Sequence, residues 1–179
     1  MNEIKGWITE AEKLKSPNQS DRPIESDINL IVIHGISLPP GKYGSNNIDK
    51  FFLNNLDPNE HEYFKEISDL KVSSHFLIER SGKLKQFVSI KNKAWHAGVS
   101  SYEGKKDCND FSIGIELEGT DSSNYEISQY NKLIDLCKTL MQNYPDINKQ
   151  KIVGHSDISP GRKTDPGESF DWKFFKSKI

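Results

Sequence analysis

Ile28-Asn29-Leu30-Ile31-Val32-Ile33-His34-Gly35 is the stretch that decides how this 179-residue chain folds. Residues 28–33 make a short, largely apolar run with high β-branched content, which predicts a buried strand rather than a helix. The run stops at His34-Gly35. A polar imidazole therefore stands at the strand's C-terminal end, where α/β sheets commonly hold ligands. Outward from it, Ser37-Leu38-Pro39-Pro40-Gly41-Lys42-Tyr43-Gly44 reads as a loop from its Pro and Gly content. Residues 46–54, with Ile48, Phe51 and Phe52 among polar groups, predict a short helix. Residues 72–79 predict a strand, Arg80-Ser81-Gly82-Lys83 a hairpin turn, and residues 84–90 its partner. After a loop at Trp95-His96-Ala97-Gly98, residues 111–117 predict another strand. Its alternation puts Ile113 and Ile115 on one face and Gly114 and Glu116 on the other.

Residues 127–143 form the best amphipathic pattern in the chain. Ile127, Tyr130, Leu133, Ile134, Cys137, Leu140 and Met141 follow helical spacing. Ser128 or Asn124 is positioned to cap this helix, and Pro145 follows its end. A short strand at 151–153 leads into His155. Together these elements predict an α/β fold, a central mixed β-sheet flanked by helices, in a single domain spanning residues 1–179. The length is enough to bury a real core, and the hydrophobic fraction of 34% fits a soluble globular protein.

Composition removes several function classes. A formal net charge of −2 with scattered Lys and Arg gives no reason to expect nucleic-acid binding. No apolar run approaches the roughly 20 residues that span a bilayer, so no membrane partner is expected. The N-terminus, MNEIKGWITE, is acidic early and lacks an apolar h-region, so it is not a secretory signal and a cytoplasmic location is expected. Cys108 and Cys137 are the only cysteines. Two do not make a disulfide framework, and a reduced compartment fits. Cys137 falls in the apolar pattern of the helix, and Cys108 beside Asn109 and Asp110 in a loop.

The chemistry concentrates in residues 153–167, VGHSDISPGRKTDPG, which pack one His, two Asp, a Lys and an Arg between two Pro and three Gly. Such a loop has a constrained backbone and holds side chains in fixed directions without belonging to a helix or strand. His155 and Asp165 are candidate metal ligands. If the strands that lead into His34 and His155 are neighbours, both imidazoles reach the same rim of the sheet. Two His and one carboxylate leave a fourth tetrahedral position for water, as catalytic Zn²⁺ requires. The HExxH pattern of helical metalloproteases is absent. Asp157 is a rival carboxylate, but two residues from His155 it is better suited to brace the loop. Glu116 projects from the polar side of an otherwise apolar strand. It is either a base that passes a proton from the attacking water to a leaving amine or a surface glutamate like Glu118 on the same face. Lys163 is either the positive charge opposite a tetrahedral oxyanion or a solvated lysine.

Five motifs narrow these alternatives: HGISLPPG, VSSHFLI, AWHAGVS, CNDFSIGIELEGTD and GHSDISPGRKTDPGESFDW. In this order and spacing the chain resembles the AmpD-type N-acetylmuramoyl-L-alanine amidases, from about Gly6-Trp7 to Trp172. The wider family also contains peptidoglycan recognition proteins and phage amidases. The resemblance implies that His34, His155 and Asp165 are Zn²⁺ ligands, that Glu116 is the general base, and that Lys163 stabilises the oxyanion. It makes Trp95 a wall for the sugar or peptide stem. His75 and His96 lie in family motifs with no role implied. The implied reaction is hydrolysis of the amide between N-acetylmuramic acid, preferably in its 1,6-anhydro form, and L-alanine of muropeptides in cell-wall recycling.

Three positions depart from the family pattern. The residue after the first ligand is Gly35 where Asn is common, and Lys71 and Asp107 stand where Arg is common. Arginine binds carboxylates bidentately, lysine does not, and aspartate repels them. The stem peptide is therefore expected to be recognised less through its diaminopimelate carboxylates, with Lys105 or Lys106 as possible compensation. Three other readings remain. One is a broad-specificity amidase on intact peptidoglycan, one a muropeptide-binding module without catalysis, and one a thiol hydrolase using Cys108.

Overall fold

The computed structural model describes residues 1–23 and 27–179. Six strands form the main sheet: β1 (Glu12–Lys13), β2 (Leu30–Ile36), β3 (Phe76–Ile78), β4 (Leu84–Gln86), β5 (Ser112–Glu118) and β6 (Ile152–Gly154). Their spatial order is β6-β2-β5-β3-β4-β1. The pairs β6–β2, β2–β5, β5–β3 and β4–β1 are parallel, and β3–β4 is an antiparallel hairpin. This is the expected mixed sheet.

The two central strands explain the layering. All seven residues of β5 are buried, as are the first five of β2, which is the pattern of a sheet covered on both faces. Alternation sends Ile31, Ile33, Ile113, Ile115 and Leu117 to one side. There they meet Leu133, Leu136, Cys137 and Leu140 of α3 (Ile127–Asn143) and Phe175 of α5 (Trp172–Lys178). The opposite face is covered at one end by α1 (Asn47–Phe52) and α2 (Glu62–Ile67), whose Phe51, Phe52, Phe64 and Ile67 join Leu77 and Phe87. At the other end, Leu30 and Val32 pack on Ala97, Cys108, Phe111 and Ile158. Each fully buried Leu, Ile or Phe contributes roughly 1.5–3 kcal/mol. Between these two apolar patches the same face carries His34 from β2 and Ser112, Gly114 and Glu116 from β5.

Several boundaries differ from expectation. The strand at 28–33 runs instead from Leu30 to Ile36, because Gly35 and Ile36 stay paired with Leu117 and Glu118. His34 thus lies inside the strand rather than at its end. The hairpin strands shorten to three residues each, in the register Ile78↔Leu84, and Gly82 takes φ +83° in the turn. Helix α3 has the expected span, but its first residue, Ile127, is 61% exposed. Its entry is not closed by Ser128 or Asn124. Gln129 Oε1 accepts from Glu126 N at 3.0 Å, while Ser128 Oγ donates to the Arg80 carbonyl at 2.6 Å. The segment 153–167 is not all loop. It opens with the single turn α4 (His155–Ile158), whose Asp157 accepts from Gly154 N at 2.7 Å, so Asp157 does brace the segment.

Candidate metal centre

His34 and Glu116 meet because β2 and β5 are parallel neighbours with His34 directly opposite Glu116. His155 joins them because β6 flanks β2 on its other side, with Gly154 opposite Ile33, and His155 is the next residue. Asp165 returns ten residues later. Its carbonyl accepts from Ser156 N at 3.0 Å, and the next carbonyl, of Pro166, accepts from Tyr125 Oη at 2.9 Å. The four side chains thus come from two strands, a helix start and a pinned loop.

The ligand atoms converge. His34 Nδ1 lies 3.0 Å from His155 Nδ1 and 3.2 Å from Asp165 Oδ2, and His155 Nδ1 lies 3.1 Å from Asp165 Oδ2. Both imidazoles are buried. The far nitrogen of each has its own acceptor: His34 Nε2 is 2.9 Å from His96 Nδ1, and His155 Nε2 is 3.2 Å from the Ala97 carbonyl. If the Nε2 atoms carry the protons, the two Nδ1 lone pairs and the carboxylate crowd one point with no hydrogen between them. A cation relieves that crowding. Donors about 2.0–2.1 Å from a tetrahedral Zn²⁺ are separated by about 3.3 Å, close to the three observed edges. The donor set therefore fits a metal ion.

The electrostatics agree with a site built around positive charge. Burial holds the His34 imidazole down at about 4, so at neutral pH it is an uncharged imidazole, the form that can donate a lone pair to a metal. Burial pushes the Asp165 carboxyl up, but the facing imidazoles of His155 and His34 outweigh this and hold it well below the usual carboxylate range. Glu116 is pushed well above that range by burial and by the Asp165 charge, against the pull of Lys163. Its Oε1 is 4.0 Å from His34 Nδ1, and its Oε2 is buried with no hydrogen-bond partner. An unpartnered buried carboxylate oxygen is costly, and Glu116 lines the same cleft as the three donor residues.

The centre forms the floor of a cleft of about 730 Å³. Glu116, Lys163, Gly35 and Trp95 all line it, and one arm is apolar, with Leu38, Phe51, Tyr63, Ile67, Leu70 and Val72. Trp95 is fixed by Nε1 donating to Ser20 Oγ at 3.1 Å. Lys71 lies in an adjoining hollow of about 230 Å³, shared with Asn109, Arg162 and Lys163. Asp107 lines neither space; it is exposed at φ 58°, at the entry of a 3₁₀ turn. Lys105 and Lys106 line neither space as well, and the Lys105 ammonium sits 4.4 Å over the Phe111 ring. The Cys108 thiol is buried outside the cleft with its pKa raised by burial, so it is no nucleophile for this site.

Sequence reasoning passed over His96, which touches His34, and Ser112 and Gly114, which touch His96. A Cβ at Gly114 would lie 2.5 Å from the His96 ring, so this glycine is what lets the ring lie against β5. The signal was present as Ser112-x-Gly114-x-Glu116, three small or polar residues on one face of a wholly buried strand.

A family model for N-acetylmuramoyl-L-alanine amidase matches residues 24–168. The 1,6-anhydro-N-acetylmuramyl-L-alanine amidase AmpD of Haemophilus influenzae is 49% identical over 175 residues, covering 98% of this chain and 95% of that protein. A crystal structure of a selenomethionine AmpD derivative superposes with a TM-score of 0.97 at 48% identity, covering 100% of this chain and 99% of that one. The amidase AmiD from E. coli, solved with anhydro-N-acetylmuramic acid-L-Ala-D-γ-Glu-L-Lys, superposes with a TM-score of 0.63 at 28% identity, over 88% of this chain and 60% of that one. The chain belongs to the N-acetylmuramoyl-L-alanine amidase family.

Proposed function

We propose that this member of the N-acetylmuramoyl-L-alanine amidase family hydrolyses the amide between the lactyl group of 1,6-anhydro-N-acetylmuramic acid and L-alanine, releasing the stem peptide in cell-wall recycling. The near full-length likeness to AmpD and the anhydro-muropeptide held by AmiD support the substrate class. The observation that carries the reading is a buried Glu116 oxygen without a partner, beside the triangle of His34, His155 and Asp165. In this reading those three residues hold Zn²⁺. When bound, the ion supplies a Lewis acid that polarises the scissile carbonyl and lowers the pKa of water.

The remaining work falls to the chain's own groups. Glu116 takes a proton from the attacking water and delivers it to the leaving L-alanine amine. Its raised pKa suits it to hold that proton between the two events. Lys163, at the cleft wall, supplies positive charge where negative charge develops on the carbonyl oxygen. The apolar arm and Trp95 accept the anhydro-sugar face and keep water from the reacting bond. With Asp107 outside the cleft and Lys71 in place of a bidentate arginine, the stem-peptide carboxylates contribute less than they do in relatives that carry arginines there. A steep loss of activity on cutting the stem back to L-alanine would overturn that part. The proposal carries a cytoplasmic location with it, open to cell fractionation. Its test is removal of metal: a chelator abolishes amidase activity and Zn²⁺ restores it, whereas full activity in chelator, with metal analysis confirming removal, refutes the metal mechanism.

A further inference from the structure

We propose that His96 is a positioning residue that sets the ring of His34 for metal binding, through a hydrogen-bond relay that ends on the backbone carbonyl of Cys108. The inference rests on the metal-centre reading above. Its argument begins at the far end of the relay. Ser112 Oγ lies 2.5 Å from the Cys108 carbonyl oxygen and 3.2 Å from His96 Nε2. A carbonyl has no proton to give, so the single hydroxyl proton goes to it, and Ser112 Oγ must accept from His96. His96 Nε2 therefore carries the ring proton, and His96 Nδ1 presents a lone pair. That lone pair is 2.9 Å from His34 Nε2, which must be the donor. His34 Nδ1 is then the bare nitrogen, and it is the one that faces His155 and Asp165. Every link has one direction, and a backbone carbonyl, which cannot change role, fixes the whole chain.

The surroundings hold the relay in place. Gly114 gives His96 room, since any side chain there would strike its ring. The His96 backbone N–H donates to Asn109 Oδ1 at 3.0 Å, and so does that of Ala97 at 2.8 Å. The His96 ring meets His34 edge-on, with centroids 5.0 Å apart. Outer partners of this kind typically change metal affinity by 10–100-fold when lost.

The test uses the full chain, with zinc affinity read by competition against a chromogenic chelator and folding checked by thermal melting. His96→Ala removes the acceptor and weakens zinc binding on the order of 10–100-fold. His96→Asn offers an oxygen near the lost Nδ1 and recovers most of that loss, which a purely space-filling role would not allow. Ser112→Ala keeps the His96 ring but frees its tautomer, and gives a smaller loss. Zinc binding by folded His96→Ala as tight as the parent's, or His96→Asn no better than His96→Ala, overturns the proposal. A second readout is independent of zinc. Long-range nitrogen–proton NMR of the metal-free protein finds His96 protonated at Nε2; protonation at Nδ1 overturns the relay. A parent protein that binds no zinc, with His96 protonated at Nε2, would sink the metal reading and leave the relay standing.

Discussion

Gly35 is held by space, and a double-mutant cycle with Tyr125 measures how firmly. A Cβ on residue 35 would lie 2.4 Å from Tyr125 Oη, while the next neighbours, Pro166 Cα and Tyr125 Cζ, are at 3.6 and 3.7 Å. The conflict therefore involves one atom. That atom donates at 2.9 Å to the carbonyl of Pro166, adjacent to Asp165. Gly35→Ala forces the hydroxyl back by about 1 Å, an overpacking cost of roughly 1–3 kcal/mol, and pulls it from its acceptor. Tyr125→Phe loses the hydrogen bond and leaves a buried carbonyl short of a donor, at roughly 1–3 kcal/mol. In the double variant nothing remains within 3.4 Å of the new Cβ except by relaxation, so the overpacking cost disappears. The double variant is thus expected to be about as stable as Tyr125→Phe alone, giving a coupling of roughly 1–3 kcal/mol. Urea unfolding of the four proteins, each stripped of metal, measures it. Additivity within about 0.5 kcal/mol would refute the claim that Gly35 makes way for the Tyr125 hydroxyl.

Three further outcomes follow from the site and the core. Glu116→Gln keeps the shape of the side chain but removes the base; turnover falls roughly 10²–10⁴-fold while the purified protein keeps its zinc, and turnover near the parent's would remove Glu116 from the mechanism. Lys163→Ala lowers kcat by roughly 10²–10³-fold with zinc affinity little changed, and an effect confined to KM would make Lys163 a binding residue instead. His75 is held down at about 3 by burial first and then by the Arg22 guanidinium, while its unfolded value is near 6.5. The unfolded chain binds a proton that the folded one refuses, so stability falls as pH drops from about 6.5 towards 3, by roughly 1.4 kcal/mol per unit from this group. The stability of metal-free His75→Gln should decline less steeply over that window than the parent's, and equal slopes would show that His75 does not bear the penalty.

Much of the fold was legible because the decisive strands carry their own pattern. Apolar residues at 28–33 and the alternation at 111–117 announced β2 and β5, and the spacing of Tyr130, Leu133, Cys137 and Leu140 announced the sheet-facing side of α3. The end of β2 was misread because glycine normally marks a stop, whereas Gly35 here stays in the ladder opposite Leu117. Helices α2 and α5 went unread because they bury only two side chains and one, against three in the equally short α1, too few to display a period. Their entries did leave a trace, as in Asp171, whose carboxylate accepts from Phe174 N at 2.8 Å. Within the site, His34, His155 and Asp165 were legible as donor types next to strand ends and in a constrained loop. His96 was not, because its role comes from the ring it touches, and that contact depends on the absent side chain at Gly114. The positions of Asp107, Lys105 and Lys106 outside the cleft follow from a hairpin at residues 101–106 that turns away, which no local pattern announced.

The central claim is that the His34, His155 and Asp165 centre, with Glu116 beside it, cuts one particular amide. Mass analysis of the products from 1,6-anhydro-N-acetylmuramoyl peptides of defined stem length tests it most directly. The expected result is free anhydro-N-acetylmuramic acid plus the intact stem peptide, formed only with metal present and lost in Glu116→Gln. Cleavage within the peptide, or no cleavage by zinc-loaded protein, would contradict it.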